Sequence, residues 1–584
     1  MAPSPNAMTR RTIPRWVAPV VVALVTLAAF APVLSNAFID WDDQANFVTN
    51  PSYRGMTWSH VAWMATTFHR GVYQPLAWWL AAVEHAVGGV DPWVYHAGSW
   101  LLHGFVAVLL YVFARRLFVR LAPDHPAAAT YASATAALLW AIHPLRVETV
   151  AWASAQGYPL AAAFTLGSLL AWLRARDEPA ATACAATAWS AASAALATCA
   201  YLAKPAAVTL PAVILILDWY LSRGSGRWRT WRPWLSALPY AAPAALVAAA
   251  APLARATLGA SVSSRYDLID RIAQAGYGAA YYAVKTVLPV NLTVFTPLPQ
   301  PFDPFEPRFV LAMIGLAAAG GVITRAARRA KGAAACALAY LVLLAPVLGL
   351  IRQGDQLVAD RYSYFAGAPL AIAMGAGVLV AFTRGAPSRA RAVSALVTVA
   401  LVLFGALSWH LTHAWETPAT LWARAVAVDP SSYQARINLG LAVLRENRYD
   451  AALREFDAAI GLNPRSSNAR FNRGLALAKQ GRTDDAIASY RDGLALDPTD
   501  ATARAHLGDL LASEDRLPEA EIQYRDAIRF APHPDVFNML GITLARQGRL
   551  ADAVAAFRDA LALDPTHADA RANLEMALEL EASR

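Results

Sequence analysis

Apolar runs of about 20 residues, the length a helix needs to cross a hydrocarbon layer, recur along the first 411 residues of the chain. They fall at 14–34, 94–114, 127–143, 155–173, 180–201, 205–221, 233–253, 308–325, 333–351, 362–383 and 392–411, and they predict eleven spanning helices. One more apolar stretch, 272–292, carries Tyr277, Tyr281, Tyr282 and Lys285, which suits an interfacial or re-entrant helix rather than a span. The first run follows Arg10, Arg11 and Arg15. It is longer than the apolar core of a secretory signal and many runs follow it, so an uncleaved anchor is expected.

After residue 415 the pattern changes to short amphipathic stretches broken by polar turns. Pro430, Pro464, Pro498 and Pro532 recur at 34 residues, and Pro565 follows 33 further on. Gly440, Gly474, Gly508 and Gly541 keep the same phase. Ala452, Ala486, Ala520 and Ala553 supply a small residue where two helices would touch, and Phe456, Tyr490, Tyr524 and Phe557 an aromatic one between neighbouring repeats. A 34-residue period with this punctuation resembles the tetratricopeptide repeat. Residues 420–430 read as the second half of a preceding repeat and 568–580 as a capping helix. The resemblance implies a solenoid whose concave face binds peptides or proteins. Asn438, Arg470, Asn472 and Arg504 are candidates for that face, or equally for solvated surface.

The expected fold is therefore all-α. A polytopic membrane domain over 1–411 precedes a tetratricopeptide-repeat α-solenoid over 415–584, with four repeats, a half-repeat and a capping helix. Composition supports two solvent classes: the chain is 57% hydrophobic and only 16% charged, against about 25% in an ordinary soluble protein. The net charge of +9 does not mark a nucleic-acid binder, because the arginines sit in short clusters between apolar runs. With eleven spans those clusters, at 115–120, 174–176, 223–232, 325–331 and 384–391, all share the cytoplasmic side with the N-terminus. The repeats then lie on the non-cytoplasmic side, periplasmic or lumenal. The three cysteines, Cys184, Cys199 and Cys336, lie in apolar segments, so neither a disulfide framework nor a CxxC metal site is expected.

The same threading collects polar loops on the opposite face: "DWDD" (40–43), "HPLRVETVAW" (143–152), "AYLAKP" (200–205), the loop 254–271 and "QGDQLVADRYSY" (353–364). Any one of them could be a snorkelling anchor at a helix end. Five together on one face point to a site at the membrane surface. The segments "FIDWDDQANFVTNP", "YQPLAWWLAAVEHAVGGVDPWVYHAGSWLLHG", "HPLRVETVAW", "LAKPAAVTLPAVILILDW" and "ADRYSYFAGAPL", followed by the repeats, resemble a known family. It is the transmembrane and tetratricopeptide-repeat O-mannosyltransferase family, of the GT-C class of polytopic glycosyltransferases, in its bacterial form.

That resemblance implies an inverting transfer of a sugar, expected to be mannose, from a polyprenyl-phosphate donor to a hydroxyl of a protein acceptor. Asp42 and Asp43 occupy the position of the catalytic carboxylates, with Asp42 favoured as base. Arg361 and Lys204 match segments placed near the donor phosphate, and His143, Arg146, Glu148 and Asp360 are further candidates for substrate contact. No structural metal is expected, since no histidine–carboxylate spacing matches a zinc signature; a divalent ion at the aspartate pair is an alternative. Relatives carry a charged stretch where this chain has Ala155, Gln156, Gly157 and Tyr158. The competing reading is a non-catalytic membrane-anchored scaffold for envelope protein assembly. A transporter would show inverted repeats or paired broken helices, which the run pattern lacks.

Overall fold

A computed structural model of the chain describes residues 14–178, 182–222, 228, 230–256, 267–299, 301–327, 330–350 and 356–582. It contains two compact units, Met1–Leu421 and Trp422–Arg584.

The first unit opens with α1 (Val17–Phe30), α2 (Trp58–Thr66), α3 (Pro75–Gly88), α4 (Pro92–Leu121) and α5 (Pro126–Ala141). It continues through α6 (Val147–Ala151), α7 (Gly157–Asp177), α8 (Ala183–Ala203), α9 (Leu210–Leu221) and α10 (Arg232–Ala256). The last helices are α11 (Leu268–Val287), α12 (Pro307–Ala327), α13 (Lys331–Leu344), α14 (Ser363–Arg384) and α15 (Pro387–His413). Proline opens α3, α4, α5 and α15, where its missing N–H would have had no helical partner anyway. Asp91 caps α4 by accepting from the Trp93 N–H at 3.0 Å. A short antiparallel pairing joins β1 (Thr296–Pro297) to β2 (Gln356–Val358), a departure from a purely helical unit.

Seven helical segments are long and apolar enough to cross a membrane by length and composition: Val17–Ser35, Pro92–Leu121, Ala183–Ala203, Arg232–Ala254, Pro307–Arg325, Asp360–Arg384 and Pro387–His413. Two shorter apolar helices are Pro205–Leu221 and Lys331–Val347. The remaining expected spans, 127–143 and 155–173, fall on α5, which has 16 residues, and on the less apolar α7. Each of the eleven expected spans thus falls on a helix, seven of them on these long apolar segments. Helices pack through small residues, as apolar surfaces in lipid require. Gly375 lets α14 approach α5 so closely that a Cβ there would lie 2.7 Å from the Ala136 Cβ. Ser168 on α7 and Ser193 on α8 each donate a hydroxyl to the other's carbonyl oxygen at 2.8 Å.

The helix α16 (Pro418–Val428) leads into the repeats. Four helix pairs follow: α17 (Tyr433–Arg445) with α18 (Tyr449–Leu462), α19 (Ser467–Lys479) with α20 (Thr483–Leu496), α21 (Ala501–Ser513) with α22 (Leu517–Phe530), and α23 (Pro534–Arg546) with α24 (Leu550–Leu563). A last helix, α25 (Ala568–Ala582), packs on α24. Ser432, Ser466 and Asp500 start three of the first-of-pair helices by accepting a backbone N–H three residues on. The repeated alanines are fully buried. The repeated glycines face the repeated aromatics: a Cβ at Gly474 would lie 2.8 Å from the Tyr490 ring. Arg470 donates to the Ser466 carbonyl oxygen, and Arg504 to Pro498 O, Gln523 and Asp526, so both guanidinium groups brace their own repeats. Asn438 and Asn472 each pair with a polar residue one turn earlier, Gln434 and Asn468.

Candidate active site

The loop after α1 is fixed by aromatic packing before any charge is placed. Phe38 stacks on Phe47 at 5.6 Å, and Phe47 lies 4.6 Å from Tyr95 on α4. Between them the chain makes one wide helical turn, with the Thr49 N–H bonded to the Gln44 carbonyl at 2.8 Å, five residues back. Adjacent aspartates are thereby sent to different surroundings.

Asp43 is fully buried. One carboxylate oxygen accepts from the Ile39 N–H at 2.9 Å. The other accepts from the Ser154 N–H at 2.9 Å and from the Ser154 hydroxyl. Burial pushes its carboxyl up to about 7 against the pull of those donors. Asn46 also donates to the Ser154 oxygen at 2.9 Å. Asp43 therefore latches the loop to the turn between α6 and α7. Asp42 is about a third exposed and receives the Arg70 guanidinium on one oxygen at 2.9 Å. The two carboxylates thus have separate partners.

Trp41, next to Asp42, stacks on Trp152 at 5.5 Å. The Arg361 guanidinium lies over the same Trp152 ring at 5.1 Å. Glu148 fixes Arg361 through its backbone N–H at 2.8 Å and through an ion pair with its guanidinium, and Gln356 accepts from the far nitrogen at 3.0 Å. Lys204, between α8 and α9, donates to Gln74 at 3.0 Å and lies over the Tyr158 ring at 4.9 Å. Burial lowers its ammonium to about 8, the Arg361 charge adds to that, and the Asp42 carboxylate opposes it. Lys204 is thus in electrostatic reach of both. Glu148 and Arg361 sit at the Trp41–Trp152 stack beside Asp42, with Lys204 on the Tyr158 ring within their electrostatic influence.

The other expected residues occupy a neighbouring, more buried place. His143 accepts at Nδ1 from the Leu145 N–H at 3.2 Å, capping the turn that follows it, and donates from Nε2 to the Thr286 carbonyl on α11 at 3.1 Å. Arg146 is buried between Trp140 and Tyr364 and donates to Ser363 at 2.8 Å. Asp360 accepts from the Tyr281 hydroxyl at 3.3 Å. Of the loop 254–271, residues 257–266, with Arg265, lie outside the described residues, as do 351–355 of the segment before Arg361.

Sequence reasoning missed Arg70, Gln74, Ser154 and the pairing of Trp41 with Trp152. The departing segment 155–158 also acquires a place. Gly157 makes room for Lys204, since a Cβ there would lie 3.0 Å from the Ala203 carbonyl and 3.4 Å from the Lys204 Cδ. Tyr158 supplies the ring beneath the ammonium. Gly157 and Tyr158 together form a bed for the lysine.

Models of the tetratricopeptide repeat match residues 419–467, 444–501 and 471–535, and a second such model matches 534–567. Among curated proteins, protein O-mannosyl-transferase TMTC2 of Mus musculus is 30% identical over 166 residues, covering 27% of this chain and 19% of the relative. Protein O-mannosyl-transferase TMTC4 of Mus musculus is 30% identical over 187 residues, covering 28% of this chain and 24% of the relative. The chain resembles protein O-mannosyl-transferases and itself carries tetratricopeptide repeats. The matches span only about a fifth to a quarter of those relatives' length. Among solved structures, YrrB, a TPR protein with an unusual peptide-binding site, aligns with 26% of this chain and 79% of its own at 24% identity and a TM-score of 0.24. A score that low carries no argument about function.

Proposed function

We propose that the chain is a membrane glycosyltransferase that moves a sugar, mannose by its resemblance, from a polyprenyl-phosphate donor to a protein hydroxyl on the non-cytoplasmic face. The repeats bind the acceptor or a partner. One observation carries the reading: beside the partly exposed Asp42, Trp41 stacks on the Trp152 ring that Arg361 covers, and Lys204 feels the charges of both Asp42 and Arg361. In the reaction the acceptor oxygen attacks the anomeric carbon while the bond from that carbon to the phosphate oxygen breaks. Asp42 takes the hydroxyl proton, a contribution of roughly 10²–10⁴-fold. The departing lipid phosphate gathers negative charge, which the Arg361 fork and the Lys204 ammonium stabilise. Glu148 holds Arg361 rather than touching substrate.

The test is transfer of radiolabelled mannose from polyprenyl-phosphate mannose to a pool of secreted proteins, with the purified chain in lipid. Asp42→Asn is expected to lower the rate by roughly 10²–10⁴-fold without loss of membrane insertion. Arg361→Ala is expected to raise the donor concentration needed for half-maximal rate. Full activity of Asp42→Asn would remove the carboxylate from the reaction. If the wild type uses neither this donor nor any of a panel of lipid-linked sugars, the scaffold reading takes its place.

A further inference from the structure

Arg70 sits in the corner between α2 and α3, in a backbone conformation that suits glycine. Its φ is 54° and ψ 29°, and Gly71 follows at φ 70°. A side chain there is strained relative to a residue without a Cβ. Stability gives little in return, because both partners of the Arg70–Asp42 pair reach solvent, where water screens the attraction. An arginine placed in a left-handed corner for so small a gain calls for another reason.

The corner is fastened to the Asp42 loop twice. His69 donates from Nε2 to the Ala45 carbonyl at 3.3 Å, and Arg70 donates to the Asp42 Oδ1 at 2.9 Å. The His69 ring is held edge-on by Trp63 and Trp78 at 5.8 and 5.3 Å, so the corner does not swing freely. We infer that Arg70 is the positioning residue for Asp42. It occupies Oδ1, fixes the side-chain torsion and leaves Oδ2 to meet the acceptor hydroxyl. The inference rests on Asp42 being the base, as proposed above. Misplacement of a catalytic group by about 1 Å costs on the order of 100-fold.

The experiment compares Arg70→Gly and Arg70→Lys with the wild type in the full chain, in lipid, using polyprenyl-phosphate mannose and the secreted-protein pool. Arg70→Gly relieves the backbone, so thermal stability is expected to hold or rise while kcat falls roughly 10- to 100-fold and the donor KM stays put. Arg70→Lys should recover part of the loss, and added millimolar guanidinium should recover part of it in Arg70→Gly. In an Asp42→Asn background Arg70→Gly should cost nothing more. A bracing role would instead lower stability and activity together, and that result overturns the inference, as does an unchanged kcat. A change confined to the donor KM would make Arg70 a donor contact and overturn it too. Full activity of Asp42→Asn would bring down the base reading and this inference together. An inactive Asp42→Asn beside an unimpaired Arg70→Gly brings down the positioning role alone.

Discussion

At the scale of single residues, the two adjacent aspartates divide the work of one loop. Asp43 is buried, and its ordinary value of 3.8 is raised to about 7. Because the folded state then holds the proton more tightly than the unfolded chain, its contribution to stability is full below pH 4 and fades as pH rises towards 7. The upper limit of that loss is about 4 kcal/mol. Melting in lipid or detergent should therefore show a stability that declines between about pH 4 and 7, and Asp43→Asn should flatten this part of the profile. The same variant turns an amide N–H towards the donors of Ser154 or Ile39, at a cost of about 1–3 kcal/mol, so it should melt lower than wild type at pH 5. An Asp43→Asn profile parallel to wild type would show that the latch is not what titrates.

At the scale of elements, the repeats were legible because each structural demand recurs. An aromatic ring fills the space where the next residue type must lack a Cβ, and the chain states that demand at Gly440, Gly474, Gly508 and Gly541. Gly474→Ala should accordingly destabilise the solenoid by about 1–3 kcal/mol through overpacking against Tyr490, read as a lower midpoint of helix loss in urea. An unchanged midpoint would mean that the ring moves aside freely. The membrane helices were harder to count. Alanine-rich stretches such as 127–143 look the same whether they cross lipid or pack inside a bundle, and α5 is buried along much of its length. The site was legible only where charge is unusual for its surroundings, at "DWDD", Lys204, Glu148 and Arg361. Ser154 meets Asp43 across 111 positions, and no local pattern announces such a contact. Arg70 was silent too, since only its backbone angle, beside Gly71, sets it apart from an ordinary surface arginine.

At the scale of the whole molecule, the division into two units separates two kinds of solvent and, in our reading, two tasks. The solenoid has its own continuous core, from Ile487 and Tyr490 through Leu507, Tyr524 and Leu544 to Phe557 and Ala577. That core joins α20 to α25 without help from apolar lipid-facing surface, so residues 415–584 should fold alone as a soluble helical fragment with a cooperative melt. The membrane unit holds Asp42, Lys204, Glu148 and Arg361 together. If chemistry and acceptor recognition are divided in this way, a chain ending at residue 421 should still pass mannose to a short hydroxyl-bearing peptide at millimolar concentration. Its transfer to the secreted-protein pool should fall at least tenfold, and adding the separate solenoid should not restore it, because linkage supplies the effective concentration. Equal transfer to the protein pool by the shortened and full chains would show that the repeats serve something other than the acceptor. Loss of transfer to the peptide as well would place part of the chemistry, or the stability of the membrane unit, in the repeats.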